Sequence, residues 1–317
     1  MPDSLLIVGS VAYDNVETPG GRVENALGGS ALFGAAAASL FAPVHLVGIV
    51  GTDFDRAGIA FLEERGVDLA GLETAEGNTF RWSGVYEEDM NNRRTLATEL
   101  NVFADFAPRI PEGYRGDKVV FLGNIAPRLQ LHVLEQMDGP DWVALDTMDL
   151  WIRDAADDLA FVLKRVHMVV INDSEARALT GKTNLAVAAR LILDMGPRAV
   201  VVKKGEHGVL LALDDQFAVF PALPLETVVD PTGAGDSFAG GMLGYIAATG
   251  DFTFCGLRRA LAYGTAAASL AVEDYSFNRL RSATREVLDE RYRWLRSISF
   301  LPDLPDGGTE IDAFPDT

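Results

Sequence analysis

A single cysteine, Cys255, stands among 317 residues. It excludes an intramolecular disulfide and every multi-cysteine metal site. Histidine is nearly as scarce: His45, His132, His167 and His207 are scattered, with no H-x-x-x-H pair to hold a catalytic zinc. Bases are few, 27 Lys plus Arg against 46 Asp plus Glu, which leaves a net charge of −19. Phosphate backbones and anionic lipid surfaces are bound by clustered bases. Neither a nucleic acid nor a membrane is therefore an expected partner, and the acid excess reads as a solvated surface. No apolar run reaches the ~18 residues of a membrane span. The opening Met1-Pro2-Asp3-Ser4 lacks the basic segment of a signal peptide, so a cytoplasmic location is expected. No repeat or low-complexity linker divides the chain.

What is present is a rhythm. Short apolar runs at 5–9, 44–48, 119–123, 142–146, 168–172 and 199–203 read as strands buried on both faces. Amphipathic or Ala-rich stretches at 30–41, 55–65, 129–137, 151–166 and 185–195 read as helices between them. Parallel neighbours need such crossovers. The expected class is α/β: a three-layer, doubly wound, mostly parallel sheet spanning 1–301. Three further helices are expected at 234–248, 256–271 and 285–296, then an acidic, flexible tail over 302–317. Two segments break the rhythm. Residues 10–27 surround Pro19-Gly20-Gly21, and residues 79–98 place Phe80, Trp82 and Tyr86 on one face before the turn Asp89-Met90-Asn91-Asn92. Both read as hairpins forming a small inserted β lid. An aromatic-rich face and a bare edge strand ask for a partner, either substrate or the lid of a second copy.

The sharpest chemical signal is Asp230-Pro231-Thr232-Gly233-Ala234-Gly235-Asp236. An extended run ends, glycines turn the chain, and an apolar helix begins. Gly233, Ala234 and Gly235 then present free N–H groups at a helix N-terminus, which favours an anion. Asp236 falls in the first turn, beside that anion hole. A carboxylate next to a phosphate pocket is repelled by it, so its natural task is to take a proton from an attacking hydroxyl. Gly233-x-Gly235-x-x-Phe238 fails the dinucleotide fingerprint for want of a third glycine. Gly181-Lys182-Thr183 imitates the end of a Walker A loop, but Ala176 replaces its first glycine.

The 230–236 segment resembles the second signature of the ribokinase-like (PfkB) carbohydrate and nucleoside kinases. Gly28-Gly29-Ser30-Ala31 resembles their first signature, Asn172-Asp173-Ser174-Glu175 their N-x-x-E element, and Lys203 through Gly208 their nucleotide loop. The order holds over roughly 4–298. The resemblance implies ATP-dependent phosphorylation of a primary hydroxyl on a small sugar, with a nucleoside kinase as the alternative. A non-catalytic ligand sensor is the reading outside enzymes, and an intact Asp236 argues against it. It implies Asp236 as general base and Gly233, Ala234 and Gly235 as anion hole. Asp14, Gly28, Gly29 and Asn101 would meet the substrate. Asn172, Glu175, Lys203, Gly205, Gly208 and Thr265 would border ATP, Glu175 holding Mg²⁺ through water. Asp230 and Thr232, near Ala271, would hold a monovalent cation such as K⁺. A homodimer through the lid is the implied assembly. One departure bears on substrate. Ribose kinases extend the first signature to G-G-x-G-A-N, whereas this chain reads Gly28-Gly29-Ser30-Ala31-Leu32-Phe33. Phe33, Trp82 and Tyr86 would suit a base or an apolar substituent, which keeps nucleosides in view.

Overall fold

Alternation within the first strand shows how the layers are built. In β1 (Leu5–Val8), Leu5 and Ile7 enter the core on one side of the sheet, and Leu6 and Val8 the core on the other. Side chains alternate along a strand, so a wholly apolar run must be covered on both faces. The computed structural model describes residues 3–301, and the acidic stretch 302–317 lies outside them. The same logic holds for β8 (Val119–Leu122), β9 (Trp142–Asp146), β10 (Met168–Asn172) and β11 (Ala199–Lys203), all formed at or within one residue of the runs expected. With β4 (Val44–Gly51), β5 (Val67–Ala75), β12 (Val209–Leu213) and β13 (Gln216–Phe220) they make one nine-stranded sheet. Its order is β13-β12-β11-β10-β9-β8-β1-β4-β5, with antiparallel pairing confined to β11–β12 and β12–β13. β5 and the β12–β13 hairpin lie at the sheet's ends, where one face is partly solvated and the apolar signal is diluted.

One face is covered by α1 (Ser30–Ala38), α2 (Ala60–Glu64) and the C-terminal helices α8 (Ala234–Thr249), α9 (Phe254–Ala271), α10 (Asn278–Ser282) and α11 (Arg285–Ser299). The other carries α3 (Pro127–Glu135), α4 (Asp149–Asp154), α5 (Ala156–Leu163), α6 (Asp173–Thr180) and α7 (Leu185–Leu193). The helix expected over 151–166 is two, broken at Ala155 (φ −136°, ψ 35°). Trp151 Nε1 donates to Asn124 Oδ1 (2.9 Å), which turns α4 over the strand ends while α5 stays on the sheet. The helix expected over 55–65 begins as a 3₁₀ turn because the Asp55 carboxylate caps Ala57 N at 3.0 Å. No helix among the described residues is long and apolar enough to cross a membrane.

The two segments outside the rhythm form a second sheet. Strands β2 (Ala12–Thr18), β3 (Gly21–Gly28), β6 (Phe80–Tyr86) and β7 (Arg93–Glu99) pair in the order β3-β2-β6-β7. This is the inserted lid. It stands over the carboxyl ends of the parallel strands, where β1 leads one way to β4 and the other way to β8. Open α/β sheets leave a crevice at such a switch point. Buried Gln130 of α3 fixes that crevice's floor, donating to Gly123 O and Asp146 O at 3.0 Å each. It thereby ties the ends of β8 and β9 together.

Candidate active site

Parallel strands end in register, so their last residues lie side by side. Asn172 and Lys203 are paired across β10 and β11, and Asp146 ends the adjacent β9. Asn172 caps α6: its Oδ1 accepts from Glu175 N (2.8 Å), and Glu175 Oε2 accepts from Asn172 N (2.9 Å). This capping box places Glu175 in the first helical turn, facing the Asp146 carboxylate and the Lys203 ammonium. Lys203 Nζ lies 3.7 Å from Asp146 Oδ1, too far for a hydrogen bond, so that buried oxygen has no hydrogen-bond partner among the described residues. Opposite them, Gly233 (φ 73°) caps α8 in a left-handed conformation. A Cβ there would overlap the Phe33 ring beneath it. A Cβ on Gly235 would stand 2.8 Å from Lys203 Nζ, so the helix N-terminus and this ammonium border one space.

The lid completes the ring. Asp14 is 6% exposed on β2, and a Cβ on Gly28 would collide with its carboxylate. Gly29 (φ 96°) then turns the chain into α1, where Ser10 and Ser30 bond reciprocally, hydroxyl to backbone N–H, at 3.1 Å. Trp82 sits beside Asp14 in the parallel β2–β6 register. Asp230 is buried next to the anion-hole loop and accepts from Thr232 N (2.9 Å), while Val229 N and Asp230 N donate to Val272 O at the end of α9. Gly205 (φ 55°) and Gly208 (φ 81°) shape the turn after β11, and Gly205 meets the lid turn at Asn91.

Acids outnumber bases in this crevice. Burial, then the charges of Asp230 and Asp236, pushes Asp14 up to about 8. Burial and Asp146 push Asp236 up to about 7 against the pull of Lys203 and Arg93. Glu175 rises to about 7 through burial and Asp146. Asp146 itself is raised by burial, with Lys203 opposing. Burial works against the Lys203 ammonium, but Asp146, Glu175 and Asp236 outweigh it and hold its pKa above the ordinary lysine value.

Sequence reasoning missed three residues here. Asp146 ends a strand like any other. Arg93 opens β7 in a turn-like stretch of Asn and Arg, yet its guanidinium interacts with Tyr86, Glu175 and Asp236. Tyr86, counted only as a lid aromatic, is 6% exposed and bonds to Thr232. Other expected residues lie elsewhere. The Asn101 amide donates to Thr79 O (3.0 Å) at the base of the lid, and no contact among the described residues joins it to the carboxylates. Thr265 is buried on α9 without such a contact. Phe33 faces no ligand: it is 1% exposed and packs edge-on to Phe277 under Gly233. Gly181 is the left-handed C-cap of α6, which disposes of the Walker A imitation.

Raised carboxyl pKa values have a consequence for stability. Between about pH 4, where the unfolded acids ionise, and the folded values near 7 and 8, the folded state holds protons that the unfolded chain has released. Stability contributed by these groups is complete below pH 4 and lost as pH rises through 8. Scanning calorimetry of ligand-free protein is expected to show a lower melting temperature at pH 8 than at pH 5.5. Asp14→Asn should shrink that difference, and a wild-type melting temperature that climbs over this window contradicts the assignment.

The model of the pfkB family of carbohydrate kinases matches residues 3–282. The chain is 35% identical over 246 residues to a cytidine kinase of Thermococcus kodakarensis, covering 75% of this chain and 87% of that one. Among solved structures, a putative ribokinase II from E. coli, in complex with ATP and Mg²⁺, superposes with a TM-score of 0.74 at 20% identity. It covers 92% of this chain and 99% of that one. A Burkholderia thailandensis nucleoside kinase in complex with inosine gives 0.72 at 22% identity, covering 92% and 97%. At those identities the structures show a common fold. The family match over most of the chain goes further: this protein belongs to the pfkB family of carbohydrate kinases and is a phosphotransferase of the carbohydrate and nucleoside kinase type.

Proposed function

We propose that this kinase transfers the terminal phosphoryl group of ATP to the primary hydroxyl of a ribose, and that the ribose belongs to a nucleoside. The observation that carries the transfer site is the position of Asp236: a half-buried carboxylate in the first turn of α8, beside the N–H groups of Gly233–Gly235 and opposite Asp14. With a pKa of about 7, Asp236 takes the hydroxyl proton near neutral pH. The loop's N–H groups receive the charge on the leaving phosphates. Lys203 and Arg93 stand on either side of the same space and offset the charge of the phosphoryl oxygens. Such a transfer is mostly positioning and charge stabilisation. Asp14 holds the sugar hydroxyls, with Gly28 and Gly29 allowing close approach.

The donor's metal fits the residues present. Asp146 offers a buried oxygen without a hydrogen-bond partner, and Glu175 stands beside it. Among the described residues no three His, Cys, Asp or Glu side chains converge on a metal, so waters and phosphates would fill the coordination of Mg²⁺. When bound, Mg²⁺ neutralises charge on the phosphates.

The resemblance taken as a whole puts a small sugar ahead of a nucleoside, although the first signature departs from the ribose-kinase form at Leu32-Phe33. The cytidine kinase likeness, which extends over 246 residues, supports the reverse order. So does Trp82, an indole placed next to Asp14, where a planar base attached to the sugar would have a ring to stack on. An ADP-release screen over free sugars and nucleosides tests this: nucleosides are expected to give the higher kcat/KM, and a preference for free ribose or fructose rejects the nucleoside assignment. In the same assay Asp236→Asn should cut kcat by at least ~100-fold, with the acidic limb of wild-type kcat/KM centred near pH 7. Turnover within a few-fold of wild type removes Asp236 as the base.

Asp230 and Thr232 are proposed to hold K⁺ behind the anion hole. Buried Asp230, raised in pKa by its burial and hydrogen-bonded to Thr232, leaves a negative site that a monovalent cation would satisfy. Activity should then rise in kcat when K⁺ replaces tetramethylammonium at constant ionic strength, and a flat response rejects the site. The lid also offers an edge. β7 is exposed along its length, with Leu96 54% and Leu100 47% exposed, so a second copy's lid is the proposed partner. Sedimentation velocity should show a dimer that Leu96→Glu weakens, whereas a monomer at all concentrations rejects it.

A further inference from the structure

We infer that Tyr86 is a positioning residue that joins lid closure to assembly of the anion hole, acting through both Thr232 and Arg93. The phenol comes from the last residue of β6 and is almost wholly buried, although its strand belongs to the lid. Its oxygen accepts a hydrogen bond from Thr232 Oγ1 at 3.2 Å, and Thr232 immediately precedes Gly233, the left-handed cap of α8. Tyr86 and Arg93 are cross-strand partners at the turn end of the β6–β7 hairpin, so both side chains leave the lid at one level. The Arg93 guanidinium, its cross-strand neighbour, interacts electrostatically with the phenol and lies 5.5 Å from the Trp82 ring, which rests over Gly84. One side chain thus bonds the loop proposed to cradle the phosphates and stands beside the cation that faces them. At the lid's tip, Asn91 meets Gly205 of the turn after β11, so the lid touches the main domain on both sides of the crevice.

Two hydroxyls are an economical latch. A lid held only by apolar packing would close without regard to the loop below. A hydrogen bond between Tyr86 and Thr232 requires the loop to be in the conformation that aims its N–H groups at the phosphates. The same closure sets Arg93 against Asp236 and Glu175. Water is excluded, the loop is fixed and a cation arrives in one motion. Acceptor binding, by contrast, depends on Asp14 and the Gly28-Gly29 turn, which Tyr86 does not touch among the described contacts.

The inference rests on the reading of the α8 N-terminus and Asp236 as the transfer site, and the experiment separates the two. Tyr86→Phe keeps the ring and removes only the oxygen. It is expected to lower kcat by about tenfold, the size of one lost hydrogen bond, with acceptor KM within about twofold of wild type. The share of ATP hydrolysed without phosphorylated product should rise. In a double-mutant cycle with Arg93→Gln the two losses should be strongly non-additive, because one acts through the other. An unchanged kcat in Tyr86→Phe, a defect confined to KM, or losses that simply multiply in the double variant would each overturn the inference. Asp236→Asn, run alongside, isolates the underlying reading: its loss of turnover beside an unaffected Tyr86→Phe sinks the latch alone, whereas retained turnover in Asp236→Asn sinks the transfer-site assignment.

Discussion

Everything in this site answers to one constraint, the crowding of five carboxylates, four of them buried, around two cations. Asp14, Asp146 and Glu175 come from three segments and Asp230 and Asp236 from a fourth, and among the described residues Lys203 and Arg93 stand against them. Buried charge without compensation is costly, and a protein relieves it by pairing charges or by retaining protons. Both occur here. Lys203 is held charged between Asp146, Glu175 and Asp236, while three of the acids keep their protons to near or above neutrality. Ordinary stability does not ask for such a crevice, since an apolar filling of the same volume would be cheaper.

The division into two sheets follows from that chemistry. Strands of the main sheet, buried on both faces and tied at their ends by Gln130, give Asp146, Asn172 and Lys203 fixed positions. The lid is polar and half exposed, and it carries Asp14, Trp82, Tyr86 and Arg93. One group of side chains is fixed by the main sheet and the other is carried by the smaller one. Phe33 illustrates how far packing serves the rigid half. Filling the space under Gly233, its ring supports a left-handed turn that any larger residue at 233 would obstruct.

Legibility in the sequence tracks how local each feature is. Runs such as Met168–Asn172 and Ala199–Lys203 announce central strands because every residue is apolar until the functional one at the end. The 230–236 segment is legible because the turn it forms is local, two glycines and a helix start. Arg93 was illegible: two asparagines and two arginines in a row describe an exposed turn, and only the register of β6 with β7 sets the first arginine beside Tyr86. Asp146 was hidden for a related reason, since a strand-terminal acid means nothing until Lys203 is seen two strands away. Phe33 misled in the opposite direction. Its place in a signature suggested ligand contact, whereas α1 turns it into the core. Asn101 bonds at the lid's base, and its positive φ of 48° marks a bend there.

The charge balance also dictates an order of events. Asp146 is the largest charged influence raising Asp236, and it is the main attraction holding Lys203 charged. The proton affinity of Asp236 and the positive charge of Lys203 are therefore settings of one network. Phosphates entering this network alone would add negative charge, raise Asp236 further and oppose their own binding. Cation must arrive with them. Lys203 is already committed to three carboxylates, so the movable share has to come with the donor's metal or from the lid. Among the lid's arginines, Arg93 is the one whose charge reaches Asp236 and Glu175. A lid in this protein is thus an electrostatic requirement as well as a barrier to water, and its closure belongs to the same equilibrium as phosphate binding.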